Sequence, residues 1–290
     1  MINILITGAT GYLGSSVLNQ LSKKKIRFYY LTRKQSNLFR IKNFNKNKNI
    51  TINYNNIETI FKKNKIDLIL HCATSYGTKD KNLSNIISSN LFLPLKLLDL
   101  AKKYGVKRFI NTDTILKKNI SSYTLSKFQF SEWLKKYSND LYCCNVKIEH
   151  FFGPGDDDSK FVINLILKLL NKAEKIELTK GTQKRDFIYI DDVVAAIEKI
   201  IIHTLTFTKG YNNFEIGSGK SISIKKFINI VAKELNNKFT KLIYGALPFR
   251  KNEPMDIKVN NRKLVKLGWK SNSTISQGLK KTIKFYKKKY

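Results

Sequence analysis

Tyr123 and Lys127 stand four residues apart, a spacing that places a phenol and an ammonium on one face of a helix. A cation beside a phenol lowers its pKa. The pair could therefore pass a proton to or from a carbonyl oxygen while a nicotinamide exchanges hydride with the carbon. Lys127 could also hold the ribose of such a cofactor. Just upstream, Arg108-Phe109-Ile110-Asn111-Thr112-Asp113-Thr114 runs from an apolar strand pattern into hydroxyls and a carboxylate. In open parallel sheets, ligands collect at strand ends of this kind. Thr114 is the candidate to orient the reacting oxygen beside Tyr123, with Thr112 and Asp113 as candidate substrate contacts. Strand-end capping is the plainer alternative for any one of the three.

A second constellation is Gly8-Ala9-Thr10-Gly11-Tyr12-Leu13-Gly14, placed after the apolar run Ile2 to Thr7 and opening a helical pattern. Gly8 permits a tight turn, Gly11 lets backbone approach a pyrophosphate, and Gly14 lets the helix pack on the strand. Tyr12 and Leu13 lie in the first helical turn, where N–H groups and the helix dipole favour an anion. Arg33 and Lys34 follow the second strand pattern, where an acidic residue would bind a ribose 2′-hydroxyl. A guanidinium there suits a 2′-phosphate, so NADP(H) is favoured over NAD(H) and Arg33 is the stronger candidate. His71, Ala73 and Thr74 close the fourth strand pattern and, with Asn90, complete the expected cofactor-facing set. A buried, hydrogen-bonded His71 is the plainer alternative for that residue.

These residues need elements to position them. Ile2 to Thr7, Arg27 to Thr32, Ile50 to Tyr54, Asp67 to Cys72, Arg108 to Thr112 and Tyr142 to Glu149 read as strands separated by helical patterns. Strands apolar on both faces and divided by helices imply a doubly wound parallel α/β sheet, the Rossmann arrangement. Ser84 to Tyr104 reads as one long helix that Pro94 should start or kink. Beyond Gly153 the pattern shifts to helices over Lys160–Asn171, Ile224–Leu235 and Ile275–Lys288, with strands over Arg185–Ile190 and Tyr211–Ile216. We therefore expect a dinucleotide-binding domain over 1–152 and a smaller, integrated C-terminal substrate lobe over 153–290, with a stretch near 187–203 returning to the first domain and a cleft between the two. In the second region Arg185 and Arg250 are suited to grip a diphosphate bidentately. The segment from His150 to Asp156 stands out beside them, and Asp191 and Asp192 read as an N-cap and a first-turn acid.

Composition sets the outer limits. The chain has 290 residues, 42% hydrophobic and 26% charged, with 4 Pro and 14 Gly, which excludes collagen-like and disordered readings. Lys and Arg number 54 against 21 acidic residues, a formal charge of +33. The basic residues are spread along the length rather than gathered into an arm, so they read as solvated faces and no nucleic-acid partner is expected. No apolar run is long enough to cross a bilayer and Met1 leads directly into a strand pattern, so the expected location is cytoplasmic, with no membrane partner. Cys72, Cys143 and Cys144 lack metal-ligand spacing, and no metal is expected.

Together these motifs resemble the NAD-dependent epimerase/dehydratase family, the extended short-chain dehydrogenase/reductases acting on nucleotide sugars, over essentially the whole chain. His71-Cys72-Ala73-Thr74-Ser75-Tyr76-Gly77, Asn111-Thr112-Asp113-Thr114, Gly153-Pro154-Gly155-Asp156, Arg185-Asp186-Phe187-Ile188 and Gly268-Trp269 are similar to the CDP-abequose and CDP-paratose synthase type of 4-ketoreductase. The resemblance implies Thr114, Tyr123 and Lys127 as a catalytic trio, Gly8, Gly11, Gly14 and Arg33 at the cofactor, and Arg185 and Arg250 at a diphosphate. It implies a nucleotide-diphosphate sugar as substrate, NADPH as reductant, and a homodimer formed through Ser84–Tyr104 and Tyr123–Tyr137. Only nine positions separate Thr114 from Tyr123. Most family members have a longer loop there over the sugar, so the pocket is expected to be more open or completed by another loop. A nucleotide-sugar 4-epimerase or 4,6-dehydratase is an alternative, although Asp113 is followed by Thr114 rather than a second carboxylate. A non-catalytic dinucleotide-sensing or nucleic-acid-binding protein is another.

Overall fold

The computed structural model describes residues 1–44, 49–52, 56–77 and 82–289; Lys46, Lys48 and the expected strand end at Tyr54 lie outside them. Two compact units are formed, one from Met1–Lys147 with Val194–Phe214, the other from Ile148–Val193 with Glu215–Tyr290.

The first unit is built on strands β1 (Ile2–Thr7), β2 (Ile26–Arg33), β3 (Asn49–Ile52), β4 (Leu68–His71), β5 (Arg108–Thr114), β6 (Tyr142–Ile148) and β7 (Gly210–Ile216). Their order across the sheet is β7-β6-β5-β4-β1-β2-β3. β1 pairs in parallel with both β2 and β4, placing Ile4 beside Phe28 on one side and Leu68 on the other. Ile4, Leu5 and Ile6 are wholly buried, as expected of a central strand covered on both faces. The chain leaves β1 in one direction and returns beside it as β4, making the topological switch point where such sheets bind ligands.

Helices α1 (Tyr12–Leu21), α2 (Ile57–Lys63), α3 (Leu83–Ile87), α4 (Leu93–Lys103) and α5 (Ser122–Tyr137) connect these strands. Leu97, Leu98, Phe130 and Leu134 bury their side chains with Ile69 and Phe109 in one apolar cluster. The long helix expected over Ser84–Tyr104 is interrupted by a wide π-helical turn, Ser88–Phe92, that ends two residues before Pro94. Proline has no N–H to bond the carbonyl four residues back, here Asn90, and its ring crowds that carbonyl; one extra residue in the turn relieves both. Asn90 itself is wholly buried.

In the second unit, α6 (Phe161–Leu170), α8 (Ile224–Glu234) and α10 (Ile275–Lys289) pack around an aromatic core. Phe187 stacks on Phe227 with ring centroids 3.6 Å apart, and Phe152 meets Phe227 edge-on. The strand expected over Arg185–Ile190 divides into Lys184–Arg185 and Ile188–Tyr189, and the next helix, α7 (Ile190–Thr204), begins at its last residue. The break lies at Asp186, whose buried carboxylate accepts from Ser218 N, Ser218 Oγ and Gly219 N. Asp191 and Asp192 occupy the first turn of α7. Asp192 also accepts from the backbone N–H groups of Asn272 and Ser273, pinning the loop between the short helix α9 (Arg262–Lys266) and α10. No described helix is long and apolar enough to cross a membrane.

Gly14 is the tightest point of the first unit: a Cβ there would lie 2.3 Å from the carbonyl oxygen of Gly8. Gly14→Ala must therefore move backbone, and overpacking of this kind costs about 1–3 kcal/mol. Urea denaturation of the variant should give a lower midpoint with an unchanged slope; an unchanged midpoint would contradict the packing described.

Candidate active site

The glycine segment forms a cradle that any side chain would fill. Gly8 has φ +67°, a left-handed backbone that glycine adopts without strain. An added Cβ at this position would lie 2.6 Å from Ala73 N, so β4's exit runs directly against the turn. Thr7 Oγ1 lies 2.8 Å from His71 Nδ1 and accepts from Ala73 N at 3.2 Å, tying the ends of β1 and β4 together. Gly11 caps α1 without a side-chain hydrogen bond, and no acidic residue stands in the first turn. This helix start therefore keeps its dipole and backbone donors for an anion. Leu13 is buried in the core, so its side chain serves packing. Arg33 and Lys34 are exposed at the end of β2, and the backbone N–H of Arg33 donates to Ser36 Oγ.

His71 has no exposed surface; its ring packs between Phe109 and Phe130. Burial, reinforced by the nearby Lys127 charge, holds its pKa well below the ordinary value and keeps it neutral. Through Thr7 it fixes the glycine turn from beneath. Asn90 is similarly enclosed. Its Oδ1 accepts from Ser75 N and Thr74 Oγ1, while Nδ2 donates to Ser75 O and Ser126 Oγ. Ser126 Oγ in turn donates to Tyr123 O. Both ends of the Asn90 amide thus join the β4 exit to the helix carrying Tyr123 and Lys127, and Ser75 and Ser126 enter the site's framework without a local sequence signal.

The residues ending β5 part company. Thr112 Oγ1 donates to His71 O, and Asp113 accepts from Asn145 Nδ2 and from Thr114 N. Asn145 accepts from Asn111 Nδ2 in turn. Thr112 and Asp113, expected at the substrate, are both buried and held by protein groups. Thr114 Oγ1 accepts from Leu116 N, and the hydroxyl is near enough to the Tyr123 phenol to favour its ionised form. The capping box at Ser121 and Thr124 fixes the first turn of α5, in which Tyr123 stands.

Lys127 is wholly buried, and its Nζ has no hydrogen-bond partner among the described residues. Burial lowers its pKa, against an opposing pull from Asp113 and Cys72. Burial also raises the Tyr123 phenol well above its ordinary value, Tyr76 and Asp113 push the same way, and the Thr114 hydroxyl opposes them. In the protein alone burial is the largest influence on the phenol. The orphaned amine and the cradle at Gly8, Gly11 and Gly14 fit a nicotinamide dinucleotide, whose ribose hydroxyls and pyrophosphate would satisfy both.

In the second unit Arg185 is buried, donating to Lys184 O and Pro254 O and pairing with Glu253. Glu253 was not singled out by the sequence as its partner. Arg250 is exposed, close enough for its charge to lower the Arg185 pKa alongside burial.

The profile of the NAD dependent epimerase/dehydratase family matches residues 4–217. The chain belongs to that family. Members are enzymes of the NAD(P)-dependent oxidoreductase type, and this chain is one of them. It is 33% identical to CDP-abequose synthase of Salmonella typhimurium, over 97% of each chain. It is 35% identical to the enzyme of the same name from Salmonella muenchen, over 97% of this chain and 96% of that one. The crystal structure of UDP-glucose 4-epimerase with UDP-glucose from Thermotoga maritima superposes with a TM-score of 0.85 at 22% identity, covering 99% of both chains, and shares the fold.

Lys127→Met replaces an unpartnered buried amine by an apolar chain of similar length. At neutral pH the variant should be more stable than the wild type in urea, by about 1–3 kcal/mol. Because the folded pKa lies below the ordinary 10.5, the unfolded chain binds more protons between those two values. Wild-type stability therefore rises with pH across that window and the gap to the variant narrows. A destabilised variant, or a gap that widens with pH, would contradict the burial of an unsatisfied amine.

Proposed function

We propose that this enzyme reduces the 4-keto group of a nucleotide-linked 4-keto-6-deoxy or 3,6-dideoxy sugar, CDP being the favoured carrier, in deoxysugar and surface-polysaccharide biosynthesis. The observation that carries the reading is the buried Lys127 amine, without a hydrogen-bond partner among the described residues, one helical turn from Tyr123. Reduction of a ketone needs a proton donor at the carbonyl oxygen, and a phenol held protonated by burial is ready to act as one. The names of the two Salmonella relatives support the sugar and its CDP carrier.

When bound, the nicotinamide cofactor supplies the hydride. Gly8, Gly11 and Gly14 would hold its pyrophosphate at the start of α1, Arg33 its 2′-phosphate, and Lys127 its ribose. Thr114 orients the keto oxygen and Tyr123 donates the proton to it. Arg250 grips the diphosphate of the sugar nucleotide through its exposed guanidinium. Arg185, buried and paired with Glu253, would hold the segment from which Arg250 reaches the diphosphate.

NADPH oxidation should be followed with CDP-, dTDP- and GDP-linked 4-keto sugars. Stoichiometric oxidation is expected with one carrier class, falling about 100-fold or more in Tyr123→Phe. Arg33→Ala should raise the KM for NADPH about tenfold and leave that for NADH nearly unchanged. NADPH binding without oxidation by any of these sugars would refute the reductase reading.

The proposed assembly is a homodimer. Phe92, Leu125, Phe128 and Trp133 are exposed by 61%, 45%, 38% and 43% along the π-turn and α5, an apolar surface larger than lone residues account for. Sedimentation equilibrium should give twice the 33.6 kDa chain mass, and the double variant Phe92→Asp with Leu125→Asp should give a monomer. A monomeric wild type would contradict the proposal.

A further inference from the structure

The loop between β5 and α5 is short, and the structure shows what stands against the phenol that a longer loop would cover. Tyr76, in the segment leaving β4, places its ring 5.0 Å from that of Tyr123, centroid to centroid, with the planes tilted by 48°. Tyr76 is 46% exposed, so one part of its ring lies on Tyr123 and another faces outward. The segment carrying it is not free to drift, because Ser75 is bonded through both its N–H and its carbonyl to the buried amide of Asn90. Asn90 also holds Ser126 on the helix of Tyr123. The two tyrosines are therefore registered against each other by one side chain.

We propose that Tyr76 is a positioning residue: its ring shields the reactive phenol on the side left uncovered by the short 115–121 loop, and its outward face forms a wall against which the sugar ring rests. The proposal rests on the reading of Tyr123 as the proton donor. Aromatic rings suit this place because their faces accept the C–H groups of a sugar while excluding water from the neighbour behind. The groups around Tyr123 are Tyr76 from the β4 exit, Asp113 and Thr114 from β5, and Lys127 on its own helix. Of these, Tyr76 and Asp113 oppose phenolate formation and Thr114 favours it, with burial the largest influence. Tyr76 contributes both to the burial and to the charge repulsion. The arrangement keeps the proton on Tyr123 until a ketone oxygen is in place to receive it.

The test uses the full-length protein without cofactor or substrate, labelled with ¹³C at tyrosine Cζ, the Tyr123 resonance being assigned by its loss in Tyr123→Phe. Raising the pH from neutrality to about 11 should leave that resonance unmoved in the wild type and nearly so in Tyr76→Phe, which keeps the ring. In Tyr76→Ala it should move toward the phenolate position within the same range, while circular dichroism reports an intact fold. A Tyr123 resonance as unresponsive in Tyr76→Ala as in the wild type overturns the proposal. Since the readout needs no turnover, it stands apart from any failure of the ketoreductase reading. With a keto sugar that the wild type reduces, Tyr76→Ala should also lower kcat about tenfold and raise KM, with Tyr76→Phe restoring both to within about threefold. Equal kcat and KM in Tyr76→Ala and wild type would overturn the sugar-facing role.

Discussion

The absence of a Cβ at Gly8 is the constraint from which the site follows. A methyl group would meet the backbone of Ala73 at 2.6 Å, so only glycine lets the end of β4 press against the turn after β1. That contact brings the Thr7 hydroxyl between His71 and Ala73 and sets the path of the segment carrying Thr74, Ser75 and Tyr76. Asn90 then locks the segment to α5. Cofactor cradle and reactive phenol are thus two ends of one chain of contacts, and the phenol's place depends on a glycine over a hundred residues earlier in the sequence.

The electrostatics of the site reflect what has been removed from water. A lysine amine with no partner among the described residues and a phenol shielded by an aromatic neighbour are both driven toward their neutral forms. Neither is a stable arrangement for a structural core, where a buried amine would be replaced by a methionine or leucine at a gain in stability. Strain of this kind is expected where a ligand restores the missing partners. Burial of His71 in the same neighbourhood follows a different logic, since its neutral ring is satisfied on the side facing Thr7 and packed between two phenylalanines.

Sequence spacing revealed the parts whose chemistry is local. The glycine turn, the Tyr123 and Lys127 pair and the polar end of β5 each lie within a few residues, and each forms in the structure near its expected element. What escaped are pairings across long separations: Asn90 with Ser75 and Ser126, Asn145 with Asp113, and Glu253 with Arg185. Asparagine and serine carry no periodicity that announces a partner. Burial, the largest influence on the Tyr123 phenol, is likewise invisible in the sequence, whereas the lysine is not. Pro94 announced a disturbance in its helix, but only the backbone shows that it takes the form of a π-turn that encloses Asn90.

Hydride delivery to the sugar is the central claim, and isotope transfer tests it most directly. The enzyme would be supplied with NADPH deuterated at the transferable position of the nicotinamide and a CDP-linked 4-keto sugar, and the product examined by NMR. A single deuterium bonded to C4 of the product sugar is the predicted result. Deuterium retained on the cofactor, or a product carrying protium at C4, would contradict it.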